Sequence, residues 1–340
     1  MRILKRVVLF VVVLVVLLAG IGMLLPRTVH VERATSIGAP PATVFALVNG
    51  YRLFNKWSPW FALDPEAQYT YEGPDFGAGA KMAWASAKKD VGSGSQRIVE
   101  SRPDEMVRTE LDFGDQGLAT AQFTLAPEGD GTRVTWGLDA DMGAGPIGRW
   151  FGLLMDRMVG KDYDKGLAGL KTLAESLPKT DFAGLVVEKV DVQPVTVAFI
   201  PATSVKDEQA IAAAIGGAYG QVGLFMTRNG IKQASAPITI NNKWDASECR
   251  FDAAIPVDRA PEKQVTADSP VQIKQTYGGK ALKVVHKGAY HGMEETYNQL
   301  LAWMAAYGYE SAGSPWDEYV SDPGNTAEAD LVTNIFMPVK

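Results

Sequence analysis

Cysteine and histidine, two residue types common in metal sites and in nucleophilic catalysis, are scarce in this chain, with one cysteine and three histidines. The single cysteine, Cys249, lies in a segment that reads as a strand, with no base close by in sequence to activate its thiol. One cysteine forms no intramolecular disulfide and supports no cysteine-based zinc cluster. Of the three histidines only His286 and His291 are close, and no carboxylate completes a ligand set at a familiar spacing. We therefore expect no metal ion and no other cofactor.

Candidate acid–base chemistry is confined to the C-terminal part of the chain. Glu318 lies in a strand-like segment and shares one strand face with Trp316, whereas Asp317 points to the other face. If the first face lines a groove, Glu318 is a half-buried carboxylate that can transfer protons together with Tyr290 or Tyr297. The alternative is a solvated strand acid and two half-buried helix tyrosines. No Ser/His/Asp set or phosphate-binding loop accompanies these residues in the sequence.

The composition is typical of a packed globular protein. Hydrophobic residues make up 46% of the 340 residues, charged residues 21%, and the formal net charge is −6. Nucleic-acid binders need a basic face to displace counterions from phosphates, and the only Lys/Arg cluster flanks the N-terminal apolar stretch. We therefore expect no nucleic-acid partner. The length allows two domains and an anchor.

An uncharged segment near the N-terminus, 7–25, predicts a transmembrane helix of about 28 Å. The denser cluster of basic residues precedes it, which predicts a cytoplasmic N-terminus and soluble domains on the periplasmic side of a bacterial inner membrane. A cleaved signal peptide is the alternative. Its apolar core is usually shorter, and Pro26-Arg27 is a poor cleavage site. We expect an uncleaved anchor over 1–27.

Residues 28–180 combine strand-like segments with a long C-terminal helix. A strand at 29–35 and a short helix at 42–48 come first, and several strands bounded by Gly, Pro or Asp follow. Apolar residues then recur at helical spacing from Trp150 through Leu154 and Met158 to Leu173, as one stripe on a long helix. A curved sheet over this helix is the simplest way to bury both elements.

Five short motifs lie along 30–177: APPATVF at 39–45, WSPW at 57–60, GAGA at 77–80, GTRVTW at 131–136 and KGLAGLK at 165–171. Together they resemble the START-like superfamily, also called SRPBCC or polyketide cyclase/dehydrase-type. The resemblance implies a helix-grip fold around a cavity that accepts apolar molecules. Apolar side chains wall such cavities, and the candidate walls are Trp57, Trp60, Trp84 and Trp136. The alternative is that these tryptophans only fill the core. Tyr163 and Arg149 are candidate polar groups at the mouth.

The second half, 181–340, is internally duplicated. At an offset of 78 residues, YGQV at 219–222 matches YNQL at 297–300, and Gly230 matches Gly308. Each copy predicts a strand, a helix and two further strands, with the glycine just past the helix where a positive φ is needed. Two βαββ units back to back predict a pseudo-twofold domain with a groove at its axis.

This half resembles the GyrI-like small-molecule-binding domain, the effector-binding domain of bacterial transcription activators. The matching motifs are GAY at 288–290, YNQL at 297–300, WDEY at 316–319, DP at 322–323 and IFMPV at 335–339. Members bind drugs and other organic effectors, some look like hydrolases of strained molecules, and others bind proteins. The DNA-binding helices of the regulators are not seen in this sequence, so the resemblance does not imply transcriptional control.

The resemblance also implies a central acid in the last strand, and that slot here holds Asn334. A neutral amide neither offsets a cationic ligand nor acts as a general base. The candidate ligand-binding residues of this half are Tyr219, Tyr290, Tyr297, Trp316, Glu318 and Asn334.

The predicted fold class is α+β: a transmembrane helix over 1–27, a helix-grip START-like domain over 28–180 and a duplicated βαββ GyrI-like domain over 181–340. The predicted function is binding of a small apolar organic or lipid-like ligand at the membrane, in a sensing or carrying role. The alternatives are docking of a protein partner in the groove of the second domain, and a hydrolase or cyclase reaction at Glu318.

Overall fold

An unbroken apolar run forms the first helix of the computed structural model, which describes residues 2–114, 117–263, 265–266 and 268–340. Helix α1 (Arg2–Leu24) contains a span, Ile3–Leu24, with a mean hydropathy of 3.3 and side chains that are almost all exposed. The span is long and apolar enough to cross a membrane. The chain divides into two compact units, Met1–Ala183 with Ala305–Gly308, and Gly184–Met304 with Tyr309–Lys340.

The first unit places an antiparallel sheet over one long helix. Its elements are β1 (Thr28–Ile37), α2 (Pro41–Val48), α3 (Phe54–Trp57), α4 (Pro59–Leu63), β2 (Gln68–Glu72), β3 (Lys81–Ala85), β4 (Ser93–Arg102), β5 (Met106–Asp112), β6 (Leu118–Glu128), β7 (Gly131–Asp141) and α5 (Pro146–Ser176). The strand order is β1-β7-β6-β5-β4-β3-β2. The predicted first strand, short helix and long helix are confirmed. The short edge strand β2 was not predicted; it has five residues, and most of its side chains are exposed.

Helix α5 packs on the sheet through small residues in its first half. Gly152 and Gly160 are buried there, and a Cβ on Gly152 would lie 2.8 Å from Val29 Cγ2. Leu154 and Met158, predicted in one stripe with the core residues of this helix, are 51% and 50% exposed. That single-stripe prediction is wrong in the first half of α5, because the glycine side of the helix, not the leucine side, approaches the sheet.

The second unit contains two βαββ repeats, as predicted, and the structure shows that their strands belong to one sheet. Its elements are β8 (Glu188–Val192), β9 (Thr196–Ser204), α6 (Glu208–Asn229), β10 (Ile238–Trp244), β11 (Cys249–Pro256), β12 (Gln272–Gln275), β13 (Gly279–Lys287), α7 (Met293–Tyr307), β14 (Trp316–Tyr319) and β15 (Val332–Pro338), with 3-10 turns at Tyr290–Gly292 and Glu328–Asp330. The strand order is β12-β9-β11-β10-β14-β15-β13-β8. The edge strands β8 and β12 were not predicted.

Helix α6 has a well-defined start, end and buried side. The Asp207 side chain caps its N-terminus by accepting from the Ala210 amide at 2.9 Å, and Gly230 ends it at a φ of 60°. Gly308, after α7, has a φ of 72°, as the repeat predicted. With a mean hydropathy of 1.3, α6 is also long and apolar enough to cross a membrane. Its buried Val222, however, belongs to the core of the second unit.

Candidate ligand-binding site

The two repeats of the second unit meet at β10 and β14, which pair antiparallel in the middle of the sheet. In this register Thr239 lies opposite Asp317, Ile238 opposite Glu318, and Ile240 opposite Trp316. Thr239 and Asp317 are also equivalent positions at the repeat offset of 78 residues. A residue that pairs with its own repeat equivalent lies on the pseudo-twofold axis, so the axis passes between Thr239 and Asp317.

The carboxylate of Asp317 is buried at this axis, with 4% of the residue exposed. Tyr297, from α7, donates its hydroxyl to Asp317 Oδ1 at 2.7 Å. Asn241, from β10, donates Nδ2 to Asp317 Oδ2 at 2.8 Å. Each carboxylate oxygen therefore receives one donor from a different repeat, and about two acceptor positions remain for another molecule.

Burial changes the protonation chemistry of this pair. Removal from water raises the pKa of Asp317 to about 6, although the hydrogen bonds from Tyr297 and Asn241 oppose the shift. Burial, and then the adjacent Asp317, raise the pKa of Tyr297 well above its ordinary value. Around neutral pH the site therefore holds a carboxylate that protonates readily and a hydroxyl that remains a donor.

A corresponding uncharged set, drawn from both repeats, surrounds Thr239. The Thr239 hydroxyl donates to the Tyr319 hydroxyl at 3.1 Å and lies 3.3 Å from the Tyr219 hydroxyl. Tyr290 packs edge-on against Tyr319, with ring centroids 5.6 Å apart. At the repeat offset, Thr239, Tyr319 and Tyr219 are the counterparts of Asp317, Asn241 and Tyr297. We call these six residues the axial cluster.

The amide of Asn241 leaves one acceptor of the axial cluster unused. Its Nδ2 donates to Asp317 and to the Tyr297 hydroxyl, the latter at 3.2 Å. Its Oδ1 is buried and has no hydrogen-bond partner among the described residues. If the Asn241 side-chain amide were flipped, its oxygen would face the Asp317 carboxylate, and two acceptors would repel. The orientation in which Nδ2 faces Asp317 is therefore the favourable one. An unsatisfied buried acceptor is unfavourable by about 1–3 kcal/mol, and the cluster therefore suits a molecule that brings a hydrogen-bond donor.

Three of the predicted ligand-binding residues, Tyr219, Tyr290 and Tyr297, are brought together at or beside the axial cluster. Asp317, its only acid, was not predicted as a site residue. Two patterns in the sequence point to it. Strand alternation places it on the face opposite Glu318, and the repeat offset aligns Tyr219 with Tyr297 on the two helices.

The other three, Trp316, Glu318 and Asn334, lie together on the opposite face of the sheet. Glu318 Oε2 accepts a hydrogen bond from Asn334 Nδ2 at 2.7 Å, and the two residues are directly paired between β14 and β15. The expectation that Glu318 acts with Tyr290 or Tyr297 is therefore corrected. The tyrosines are on the helix side of the sheet, where the alternation along β14 places Asp317 instead.

Cys249 and His286 have structural surroundings. Cys249 is buried on β11 in the core beneath α6, and burial raises the pKa of its thiol. His286 is satisfied at both ring nitrogens, Nδ1 by Thr296 Oγ1 at 2.8 Å and Nε2 by the Ala289 carbonyl at 3.0 Å. Within the described ranges, no group of three or more His, Cys, Asp or Glu side chains is arranged to hold a metal ion.

In the first unit, the predicted wall residues Trp57, Trp60 and Trp136 belong to one aromatic cluster. The Trp136 ring stacks on Tyr163 with centroids 3.8 Å apart, and Trp57 and Trp60 contact Trp136 edge-on at 5.7 and 5.9 Å. Trp57 and Trp136 are only 4% and 3% exposed. These rings fill the space between the sheet and α5, as the core-filling alternative predicted.

The remaining predicted groups of this unit lie elsewhere. Trp84 packs edge-on against Phe113 at 6.0 Å, at the margin of the core. Tyr163 was expected at a cavity mouth but is only 2% exposed, because it is stacked on Trp136. Arg149 donates to the carbonyl of Leu25 at 3.1 Å. The expectation that Tyr163 and Arg149 are polar groups at one mouth is therefore wrong.

An open cleft of about 450 Å³ borders Trp57, between the α3–α4 segment and α5. Asn55 and Ser58 line it from one side, and Lys165 and Gly169 from α5 line the other. The side-chain oxygens of Asn55 and Ser58 are buried and lack a hydrogen-bond partner in the part of the chain that the structure describes. The volume is in the range of small-molecule pockets.

Comparison with known families agrees with both domains. Residues 28–175 match the family described as polyketide cyclase / dehydrase and lipid transport, and residues 186–340 match the GyrI-like small molecule binding domain. The chain thus consists of an apolar N-terminal helix, a polyketide cyclase/dehydrase-type domain and a GyrI-like domain, in that order.

Several solved structures are similar to parts of the chain. The C-terminal domain of EcmrR is 18% identical, with 46% of this chain and 98% of that chain covered and a TM-score of 0.41. A protein from Chromobacterium violaceum is 22% identical, with 44% and 99% covered and a TM-score of 0.33. A hydrolase from Listeria innocua is 13% identical, with 45% and 91% covered and a TM-score of 0.34. The comparison with curated proteins gave no match.

Proposed function

We propose that this protein is anchored in a membrane and binds a small organic molecule at the axial cluster of its second domain. Helix α1 supplies the anchor, because its apolar span of 22 residues matches the thickness of a bilayer. The basic residues before it orient the N-terminus to the cytoplasm and both domains to the periplasm. The observation that carries the binding proposal is the buried Asp317, held by Tyr297 and Asn241 beside an acceptor without a donor.

The chemistry of the cluster indicates the class of ligand. Asp317 and Asn241 Oδ1 both need donors, and the half-buried tyrosines around them provide aromatic surface. An apolar molecule that carries a protonated amine satisfies both requirements. The acid of this proposed site is Asp317 on the helix side of the sheet, whereas Asn334, the position at which the resemblance implied an acid, lies on the opposite face.

A dye panel tests this proposal. The full-length protein in nanodiscs would be titrated with aromatic dyes of similar size that are cationic, neutral or anionic, and binding would be followed by fluorescence anisotropy. We expect the cationic dyes to bind most tightly. Asp317→Asn should weaken them about tenfold or more, because it removes a charged hydrogen-bond acceptor.

Glu318→Gln is the matched control, because it removes the neighbouring carboxylate on the opposite face of the sheet. It should leave the affinity for cationic dyes unchanged. Equal affinities for the parent and Asp317→Asn, or a loss confined to Glu318→Gln, would contradict the assignment of the axial cluster.

In the first domain, the 450 Å³ cleft beside Trp57 is our candidate for a separate ligand position. Its unsatisfied Asn55 and Ser58 oxygens and the Lys165 ammonium favour a molecule with a polar end. Native mass spectrometry of the full-length protein, compared with Ser58→Val, tests this position. Retention of the same co-purified mass by the variant would argue against the cleft.

Proton transfer at the axial cluster is a second candidate function. A carboxylate with a pKa of about 6 is matched to general-base catalysis near neutral pH, and Tyr297 is placed beside it as a donor. Hydrolysis of strained esters or epoxides by the parent, lost in Asp317→Asn and kept in Glu318→Gln, would establish this activity. Equal turnover by all three proteins would exclude it.

A further inference from the structure

The first half of α5 has an apolar face that the domain does not use. Ile147, Phe151, Leu154 and Met158 recur at i, i+4, i+7 and i+11, which places them on one side of the helix. They are 84%, 49%, 51% and 50% exposed. We call these four residues the outer stripe.

The outer stripe lies opposite the side of α5 that packs on the sheet. That side carries Gly152, Gly160 and Tyr163, all buried. Farther along the helix, the exposed Lys165 continues the line of the stripe, so the apolar surface ends where charge begins. Contiguous exposed apolar surface of this kind marks an interaction site.

The start of α5 is in contact with the proposed membrane anchor. Trp150 Nε1 donates to the carbonyl of Leu18 in α1 at 2.9 Å. A Cβ on Gly22 of α1 would lie 2.7 Å from the Pro146 side chain, so the two helices approach closely. At about 1.5 Å per residue, Leu18 lies about 10 Å along the helix from the apolar end at Leu25. When α1 spans a bilayer, contact at the depth of Leu18 therefore places the start of α5 below the lipid surface.

We propose that the first half of α5 lies in the outer interface of the bilayer, with the outer stripe inserted among the lipid chains. This inference rests on the proposed anchoring by α1. The exposed Arg157 and Lys161 follow the flank of the stripe and are placed to meet lipid phosphates. Trp150 fits the same position, because tryptophan is enriched where a membrane meets water. The first domain is then held to the lipid surface at two places.

Depth-dependent quenching tests the inference on the full-length protein in nanodiscs. Single cysteines would be introduced as Phe151→Cys and Leu154→Cys on the stripe, Lys165→Cys farther along the helix, and Leu14→Cys in α1. Each would carry an environment-sensitive fluorophore. The native Cys249 is buried, and labelling of the parent checks that it does not react. The quenchers would be spin-labelled lipids and aqueous iodide.

We expect Phe151→Cys and Leu154→Cys to be quenched most by shallow spin-labelled lipids and Leu14→Cys most by deep ones, with blue-shifted emission at the stripe. Lys165→Cys should respond to iodide. Iodide quenching at the stripe equal to that at Lys165→Cys, with Leu14→Cys quenched by lipid, would overturn this inference and leave the anchor intact. Protection of the stripe from both quenchers would indicate a second copy as its partner and would also overturn it. Absence of lipid quenching at Leu14→Cys would overturn the anchor and this inference together.

Discussion

Tyr297 donates its hydroxyl to the carboxylate of Asp317 at 2.7 Å. Its counterpart in the first repeat, Tyr219, instead donates to the main-chain carbonyl of Ile238 at 2.8 Å. The two tyrosines occupy equivalent positions on α6 and α7, yet only one of them serves an ionisable partner. The duplication therefore provides a pair of matched sites for measuring what the acid contributes.

Removal of the Tyr297 hydroxyl should destabilise the second domain more than removal of the Tyr219 hydroxyl. Hydrogen bonds to charged groups contribute about 1.5–3 kcal/mol, and neutral ones about 1 kcal/mol. We expect Tyr297→Phe to lower the stability by the larger amount and Tyr219→Phe by the smaller. Hydrogen–deuterium exchange of the β10 and β14 amides in the solubilised full-length protein measures both. Equal losses would mean that Asp317 does not accept a strong hydrogen bond from Tyr297.

Stability should depend on pH through Asp317. Its pKa is raised in the folded protein from 3.8 to about 6. Between these values the native state therefore binds more protons than the unfolded state, and stability falls as the pH rises through this window. The full effect is about 3 kcal/mol.

Asp317→Asn lacks this titration and serves as the reference. We expect the melting temperature of the parent, relative to the variant at the same pH, to decrease between about pH 4 and pH 6 and to level off above. Differences from all other groups cancel in this comparison. A flat difference across the range would show that the Asp317 carboxylate is solvated.

Glu318 should contribute little to stability. It is half-buried and accepts a hydrogen bond from the Asn334 amide. That amide can donate equally well to the neutral amide oxygen of a glutamine at position 318. We expect Glu318→Gln to change the unfolding free energy by less than about 1 kcal/mol. Thermal unfolding at neutral pH measures the change. A loss as large as that of Tyr297→Phe would restore Glu318 as a principal residue of the second domain.

Trp136 should be a principal contributor to the stability of the first domain. It stacks on Tyr163 and on Phe123, with centroids 3.8 and 4.8 Å apart. Trp136→Ala leaves a large cavity, and we expect a loss of about 3–5 kcal/mol. Trp84→Ala, at the margin of the core, is the matched control and should lose less. Near-ultraviolet circular dichroism during thermal unfolding follows both, and equal losses would contradict the packing described.

Much of the fold could be predicted from sequence, because its signals are local or repeated. The 78-residue offset, the strand alternation and glycines such as Gly230 each specify geometry without knowledge of the partner element. The edge strands β2, β8 and β12 were not predicted from the sequence. Edge strands bury few side chains, and the apolar alternation that identifies strands is weak in them.

The site could be predicted only in part. Periodicity showed that Glu318 and Asp317 face opposite ways, but not which face receives the helices, because that depends on contacts distant in sequence. The resemblance implied an acid at the position of Asn334, whereas the buried acid of the cluster is Asp317 on the neighbouring strand. The same ambiguity applied to Leu154 and Met158, since helical spacing identifies an apolar side without identifying what covers it.

The position of Asp317 on the pseudo-twofold axis has a consequence for how such a domain can arise. In a symmetric homodimer of either repeat, each axial residue would face its own copy, so an aspartate there would meet a second aspartate at close range. Two adjacent buried carboxylates repel and do not both ionise. Covalent fusion of the two repeats allows threonine to face aspartate, and a single negative charge then occupies a place that strict symmetry would leave either neutral or doubly acidic.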